Sequence, residues 1–188
     1  DAEFFYIRPR DIATYVGEGV LDLGFTGRDM LLDSDSTAQE IRALHFGDST
    51  FRFAGPAGEF TELEQLQGKR VATSYTGLLG RFFAEHRIDA ELVKLDGAVE
   101  SSIRLGVADA IADVVSTGNT IRRAGLEIFG PVILDSTAIL ISTPEKVEAA
   151  GALIKRLEGV LVAREYSIMD YDIPAARLDE AMAITPGF

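Results

Sequence analysis

A run of small hydroxyl side chains follows an apolar segment near the middle of the chain. Gly118 lies within this run and removes the side chain where backbone amides must approach a ligand closely. A helix that begins at the end of the run would add free N–H groups and the positive end of its dipole. This pattern predicts a cradle for a phosphate monoester that needs no lysine. The hydroxyls directly follow the β-prone stretch 110–115 and belong to Ser116, Thr117 and Thr120.

A carboxylate lies just before this hydroxyl run. Asp113 stands near the end of the apolar stretch, where it would point toward whatever the phosphate carries. It suits ribose hydroxyls, from which it accepts hydrogen bonds, or a magnesium ion. An ordinary capped helix start has the same residue types, so both interpretations stay open. The run lacks the lysine of a P-loop and the three glycines of a dinucleotide fingerprint, so neither of those sites is predicted.

Charged residues near predicted strand ends are weaker candidates. Asp29 follows a Thr-Gly pair and either caps a helix or contacts a ligand. Asp33 and Asp35 lie in a polar loop, and we expect both to be solvated. Arginines at strand ends could neutralise a triphosphate or pyrophosphate, with a surface ion pair as the alternative for each. These arginines are Arg8, Arg28 and Arg52.

Composition narrows the class of protein. The 188 residues contain 18 lysines and arginines against 30 aspartates and glutamates, a net charge of −12. This charge argues against a general nucleic-acid binder, which needs a basic surface. No apolar run reaches the roughly 18 to 20 residues of a membrane helix, and the first residues do not resemble a signal peptide. Without cysteine there is no disulfide, thiolate metal site or cysteine nucleophile, and we expect a cytoplasmic protein.

Strand-like and helix-like segments alternate along the chain. This alternation favours an α/β protein with a mostly parallel sheet. One helix is expected to open at Thr143-Pro144 and to carry an apolar stripe through residue 161. The other predicted helices cover residues 10–19, 78–86 and 99–105. The predicted strands cover residues 3–7, 21–26, 51–54, 70–73, 90–95, 110–115, 132–134 and 138–142.

One pattern occurs twice. Residues 19–22 read Gly-Val-Leu-Asp and lead into an apolar strand that ends at Thr26-Gly27. Residues 106–109 read Gly-Val-Ala-Asp and lead into another, which ends at Thr117-Gly118. Two such units predict two similar lobes across a cleft, with ligands beyond the carboxyl ends of the strands. The alternative is that the two stretches are unrelated turns, which resemble each other only because turns favour these residue types.

Several stretches, taken together and in order, resemble ATP phosphoribosyltransferases, which catalyse the first step of histidine biosynthesis. The resemblance implies two lobes of the periplasmic-binding-protein type with a ligand cleft between them. Lobe I, on the nucleotide side, would comprise residues 1–62 and 131–188, and lobe II, which binds phosphoribosyl pyrophosphate, residues 63–130. The stretches are 5–12 (FYIRPRDI), 24–29 (GFTGRD), 95–100 (LDGAVE) and 106–120 (GVADAIADVVSTGNT).

The resemblance also assigns roles. The reaction would join C1 of phosphoribosyl pyrophosphate to N1 of the adenine of ATP and release pyrophosphate, with Mg²⁺ present. Asp113 and Glu100 would be catalytic and face ribose or magnesium, although no magnesium ligand is assigned. The loop that would bind phosphoribosyl pyrophosphate consists of Ser116, Thr117, Gly118, Asn119 and Thr120. The ATP side would comprise Arg8, Arg28, Asp29 and Tyr75.

Some family features are absent from these 188 residues. Members usually begin with a strand and a basic, glycine-containing loop, which would precede Asp1. Long members continue past the Thr-Pro-Gly turn at 185–187 into a histidine-binding domain. A homo-oligomer is expected from the family, with no membrane or nucleic-acid partner. The alternative function is a two-lobed domain that binds an anionic metabolite without transforming it, since fold alone does not fix function.

Overall fold

The chain alternates helices and strands, and the computed structural model describes residues 2–167 and 169–185. Its strands are β1 (Gly24–Gly27), β2 (Gln39–Ala43), β3 (Ser49–Pro56), β4 (Arg70–Thr73), β5 (Glu91–Lys94), β6 (Ala110–Val115), β7 (Leu126–Ser136) and β8 (Ala138–Ser142). Its α-helices are α1 (Pro9–Gly17), α2 (Arg28–Asp33), α3 (Thr76–His86), α4 (Ser101–Arg104), α5 (Asn119–Arg123), α6 (Pro144–Val147), α7 (Gly151–Glu165) and α8 (Leu178–Ile184). No helix in the described ranges is long and apolar enough to span a membrane.

The strands form two sheets. A three-stranded antiparallel sheet has the order β1-β8-β2, and a five-stranded sheet has the order β5-β4-β6-β3-β7. Within the larger sheet β4 is parallel to β5 and β6, whereas β3 is antiparallel to β6 and β7. The predicted α/β class is confirmed, but the prediction of a mostly parallel sheet is wrong. The chain passes between the sheets through β3 and β7, and these crossing strands run against their neighbours.

The repeated pattern predicted from the sequence has a matching structure. Gly19 connects α1 toward β1, and Gly106 connects α4 toward β6. Their φ angles are +73° and +70°, a left-handed conformation that glycine adopts without strain. Each strand then runs into a helix whose preceding residue is a glycine, Gly27 before α2 and Gly118 before α5. β1 and β6 therefore end in the same local turn, although β1 lies at the edge of its sheet and β6 at the centre of the other.

The five-stranded sheet is covered on both faces. Alternate residues of β6 pack into different clusters, Ala110 and Ala112 on one face and Ile111 and Val115 on the other. This two-sided burial explains why β6 reads as a continuous apolar run. The first face forms an aromatic cluster that consists of Phe51, Phe53, Leu63, Leu66, Val71, Tyr75, Leu78, Leu79, Phe83, Ala110, Ala112 and Phe129.

Three secondary-structure expectations need correction. Residues 3–7 do not form a strand; they pair with no other strand in the described chain, and Tyr6 is 99% exposed. The polar strand β2 was missed, because its residues show no apolar alternation. The helix expected from Thr143 onward consists of α6 and α7, which are separated at residues 148–150. Gly151, a poor helix former, opens the second of these helices.

The chain divides into two compact units, one up to Gly151 and one from Ala152 onward. Both sheets belong to the first unit. The second contains most of α7 together with α8, and an exposed ion pair joins Arg177 to Glu180 at 3.0 Å. The expected lobe boundaries at 62–63 and 130–131 stay a prediction. The strands change sheet between β2 and β3 and between β7 and β8, so β3 and the last part of β7 lie in the larger sheet.

The aspartates of the two repeated turns provide a matched test of stability. Asp109 accepts hydrogen bonds from Arg70 through the backbone N–H at 2.9 Å and Nη2 at 2.8 Å, and these bonds lower the pKa of its carboxyl. Its stabilising effect is therefore present above the ordinary carboxyl pKa and is lost as the pH falls through the lowered one. We expect Asp109→Asn to lower the free energy of unfolding by about 1 kcal/mol at pH 7, since the pair is partly exposed.

Urea denaturation at pH 7 and pH 3 measures this difference, which should be smaller at the lower pH. Asp22→Asn is the control, because Asp22 holds the equivalent turn position but has 71% of its side chain exposed in its pair with Lys146. Equal effects for both variants, or an Asp109→Asn effect that does not change with pH, would contradict the expectation.

Candidate active site

The hydroxyl loop between β6 and α5 is open to solvent. Gly118 has a φ of +69°, and α5 begins directly after it without a side-chain cap. None of the three hydroxyls makes a hydrogen bond within the part of the chain that the structure describes. The capped-helix interpretation therefore lacks its cap, and the hydroxyls are available to a ligand. The exposed loop residues are Ser116, Thr117, Asn119 and Thr120.

Arg122 braces this loop from α5. Its Nη2 donates to the carbonyl oxygen of Thr117 at 3.0 Å and to Oδ1 of Asn119 at 2.6 Å. The guanidinium thus connects the two sides of the turn and fixes its shape. Its charge also offsets part of the negative charge of the chain near the loop, which favours an anion there.

Two carboxylates line the same pocket as the loop. The pocket has a volume of about 120 Å³ and is bounded by Glu100, Asp113 and residues 114–121. Burial raises the pKa of the Asp113 carboxyl, the Val114 N–H that donates to its Oδ1 at 2.8 Å opposes this, and the charge of Glu100 raises it further. A positive charge that enters the pocket would stabilise the ionised carboxylate of Asp113 and so oppose both effects. The structure therefore places the predicted catalytic pair beside the predicted phosphate loop.

A second acidic position lies at the end of β1. The Asp29 side chain is buried, and its Oδ1 accepts a hydrogen bond from Ser136 Oγ at 2.7 Å. Tyr75, at the end of β4, is 6% exposed. Burial, then the neighbouring charge of Asp29 and, more weakly, that of Asp113, raises the pKa of its hydroxyl. Asp29 and Asp113 are thus near enough to Tyr75 for their charges to act on its hydroxyl.

The predicted arginines occupy different environments. Arg28 is held in a two-point ion pair, with Nε and Nη2 at 2.8 Å and 2.7 Å from the Glu40 carboxylate. Arg28 therefore forms the surface ion pair that was the alternative to phosphate binding. Arg8 precedes α1 and is exposed. Arg52 does not lie at a strand end as expected: it is in the middle of β3, and its Nη2 donates to the Gly130 carbonyl at 3.4 Å.

Sequence reasoning missed one pair near the site. Asp33 was expected to be solvated, but only 7% of its side chain is exposed, and it pairs with Arg10 at 2.6 Å. That expectation is wrong because the partners of Asp33 come from distant parts of the chain, so no local pattern marks it. Asp35, by contrast, is exposed as expected.

Comparison with known proteins identifies the family of this chain. The sequence profile of ATP phosphoribosyltransferase matches residues 8–161. This chain belongs to the ATP phosphoribosyltransferase family. A relative from Arthrobacter sp. (strain FB24), named ATP phosphoribosyltransferase, is 59% identical over 194 residues, which cover 100% of this chain and 68% of that protein. The stretch that matches the family profile includes the hydroxyl loop, Asp29 and Tyr75.

Solved structures support the same fold class. A structure described as the ATP phosphoribosyl transferase (HisG:HisZ) complex from Thermotoga maritima matches with a TM-score of 0.76 and 27% identity over 85% of this chain and 79% of that one. The alkanesulfonate-binding protein SsuA from Xanthomonas axonopodis pv. citri matches with a TM-score of 0.50 and 16% identity, over 81% of this chain and 58% of that one. The second likeness concerns the fold alone. It is consistent with the expected two-lobed binding-protein type.

Proposed function

We propose that this chain carries out the ATP phosphoribosyltransferase reaction, in which C1 of phosphoribosyl pyrophosphate is joined to N1 of the adenine of ATP. The C1–oxygen bond to pyrophosphate breaks, and pyrophosphate leaves with the bonding electrons. One observation carries the proposal: the uncapped, exposed loop at 116–120 shares a pocket with Asp113 and Glu100 in a chain of this family. The reaction is the first step of histidine biosynthesis.

The loop would hold the 5-phosphate of phosphoribosyl pyrophosphate. The hydroxyl donors belong to the exposed residues Ser116, Thr117 and Thr120, and Gly118 allows the left-handed backbone of the turn, with a φ of +69°. Asn119 would act by keeping its hydrogen bond to Arg122, which fixes the turn. The chain has a net charge of −12, which repels an anion at a distance. The closely placed hydrogen-bond donors of the loop would have to overcome this repulsion locally.

Asp113 and Glu100 would stabilise charge on the sugar. Departure of pyrophosphate builds positive charge on the ribose ring, and a neighbouring carboxylate favours that state. Asp113 is partly buried and near a second carboxylate, so its charge is poorly compensated before the substrate binds. Catalysis would then rest on positioning and electrostatics. No covalent nucleophile is required.

Magnesium fits the donor set. Carboxylate and hydroxyl oxygens are the ligands this ion prefers, and the pocket offers both kinds. Within residues 2–167 and 169–185 no group of three or more acidic or histidine side chains is arranged to hold a metal alone. Asp113 and Glu100 would therefore supply part of the ligands and the phosphates of the substrate the rest. When bound, magnesium would neutralise charge on the leaving pyrophosphate.

The nucleotide would lie on the side of Asp29 and Tyr75. Asp29 is buried and anchored by Ser136, so it offers a fixed acceptor for ribose hydroxyls or the adenine amino group. Tyr75 would supply an aromatic ring and a hydroxyl, whose pKa is raised by burial and by the nearby charge of Asp29. Arg8 would contact the phosphates directly. Arg28 would stay paired with Glu40, which occupies two of its donors, and would act on the phosphates through its charge.

The proposal extends to assembly and location. The Thermotoga maritima relative is a complex of HisG and HisZ. We propose that this chain also functions as an oligomer and that, as a biosynthetic enzyme, it acts in the cytoplasm. Analytical ultracentrifugation with and without substrates would measure the oligomeric state directly.

Titration calorimetry with phosphoribosyl pyrophosphate and Mg²⁺ tests the phosphate loop. Thr120→Ala should weaken binding by at least about tenfold, because a hydrogen bond to a charged group contributes about 1.5 kcal/mol or more. Thr14→Ala is the control, since Thr14 is also an exposed helical threonine and its hydroxyl has no partner in the described residues. Unchanged affinity in Thr120→Ala would contradict the assigned role of the loop.

A turnover assay separates the enzyme from a non-catalytic domain. Incubation with ATP, phosphoribosyl pyrophosphate and Mg²⁺ should release pyrophosphate and form an adenine-linked phosphoribosyl product in equal amounts. Binding of phosphoribosyl pyrophosphate without product, under conditions in which a full-length relative turns over, would favour the binding-domain alternative.

A further inference from the structure

A polar contact joins the two sheet regions next to Tyr75. Arg10, on α1, pairs with Asp33, at the end of α2, with Nη1 2.6 Å from Oδ2. The other terminal nitrogen of Arg10 donates to the carbonyl oxygen of Ser74 at 2.9 Å, in the turn that follows β4. The same guanidinium lies over the Tyr75 ring, with 5.1 Å between Cζ and the ring centroid. A single side chain thus connects α1, α2 and this turn.

Asp33 extends the contact into α3. Its second carboxylate oxygen, Oδ1, accepts a hydrogen bond from the Leu78 N–H at 3.0 Å. Leu78 is in the first turn of α3, where backbone N–H groups have no partner within the helix. Tyr75, the residue before α3, makes no capping hydrogen bond, so a side chain from α2 caps the helix instead. Both oxygens of a side chain that is only 7% exposed are in use.

The backbones also approach closely at this point. A Cβ atom built on Gly77 would lie 2.5 Å from the carbonyl oxygen of Asp33. Any larger residue at position 77 would force α2 and α3 apart. The Arg10–Asp33 pair, the cap on Leu78 and the close approach at Gly77 all fix the segment 74–78, which contains Tyr75.

We propose that Arg10 and Asp33 are positioning residues for the nucleotide: they hold the turn 74–78, and with it Tyr75, against Asp29 before ATP binds. This inference rests on the proposed function, in which Tyr75 and Asp29 face the nucleotide. A turn that is already ordered does not have to be ordered by the ligand, so the contact raises affinity for ATP. The phosphate loop at 116–120 follows a different strand, and its affinity for phosphoribosyl pyrophosphate should not depend on the contact.

The test compares two ligands on the same variants. Calorimetry with ATP and Mg²⁺, and separately with phosphoribosyl pyrophosphate and Mg²⁺, is carried out on the wild type, Arg10→Ala and Asp33→Ala. We expect ATP affinity to fall about tenfold in both variants, while affinity for phosphoribosyl pyrophosphate stays within twofold. In turnover assays the KM for ATP should rise more than kcat falls. A role confined to fold stability would lower the melting temperature without this difference between ligands.

A conservative variant separates the helix cap from the ion pair, and two variants at exposed positions serve as controls. Asp33→Asn keeps an oxygen that can cap Leu78 but loses the ion pair, and should retain more ATP affinity than Asp33→Ala. Amide hydrogen exchange at Leu78 should accelerate in Asp33→Ala and much less in Asp33→Asn. Arg81→Ala and Asp35→Asn alter exposed residues of α3 and of the loop after α2, and both should bind ATP like the wild type.

Three outcomes overturn the inference. ATP affinity that is unchanged in Arg10→Ala and Asp33→Ala, with faster exchange at Leu78, would show that the contact exists but does not position the nucleotide. An equal loss of affinity for both ligands would show a general structural role. A wild type that binds phosphoribosyl pyrophosphate but not ATP would overturn the proposed function itself, and is distinguished from the other two outcomes before any variant is made.

Discussion

Replacing Asp113 with asparagine should lower kcat/KM for phosphoribosyl transfer on the order of 10²- to 10³-fold, the range seen when one charge-stabilising group is removed from an active site. The substitution preserves shape, so substrate affinity should change less than turnover. Asp113→Asn should also lose the acidic limb of the pH profile. In the wild type this limb should lie above the ordinary carboxyl range, because burial raises the pKa of Asp113.

Stability provides an independent check on the same variant. The raised pKa means that folding favours the protonated carboxyl, so its contribution to stability is present below the ordinary pKa and is lost as the pH rises through the raised one. Asparagine mimics the neutral form at every pH. Asp113→Asn should therefore be at least as stable as the wild type at pH 7 by urea denaturation. Asp96→Asn, at an exposed position, is the control, and activity near wild type in Asp113→Asn would refute the assigned role.

Phe53→Ala should lower the free energy of unfolding by about 3–5 kcal/mol, the usual cost of truncating a fully buried aromatic side chain. Phe53 is 0% exposed on β3, and its ring centroid lies 5.8 Å from those of Phe82, Phe83 and Phe129. The aromatic cluster would keep a cavity of nearly ring size. Urea denaturation followed by far-ultraviolet circular dichroism measures the change.

Phe46→Ala is the matched control for Phe53→Ala. Phe46 is 48% exposed, and its removal should change the free energy of unfolding by less than about 1 kcal/mol. Comparable losses for the two variants would mean that the aromatic cluster does not dominate the stability of the larger sheet.

The sequence predicted the elements that have strong local signals. β4, β6 and β8 match their predicted ranges, since each is a short run that is buried or nearly so. The pairing directions could not be read in the same way. An apolar run such as β6 is buried on both faces whether its neighbours are parallel or antiparallel, so its composition does not record that β3 runs against it.

The candidate site divides along a similar line. The loop at 116–120 and Asp113 are close together in the sequence, so their residue types could be considered together, and they line one pocket. Asp29 and Tyr75 came from the family resemblance. The sequence did not mark Arg10, and it gave the wrong environment for Asp33, because their partners Ser74 and Leu78 lie 64 and 45 residues away. Contacts of this range are set by topology and leave no periodic pattern in the chain.

The double passage of the chain between its sheets has a mechanical consequence. The segments that leave β2 and enter β8 are stitched together, with Leu44 N–H donating to the Ala138 carbonyl at 2.9 Å, and Ala138 N–H and Thr137 Oγ1 donating to the Phe46 carbonyl at 2.9 Å and 3.0 Å. Two connections bound side by side resist twisting and sliding far more than a single linker. An opening of one sheet relative to the other would therefore have to bend both connections together, at residues 44–46 and 137–138.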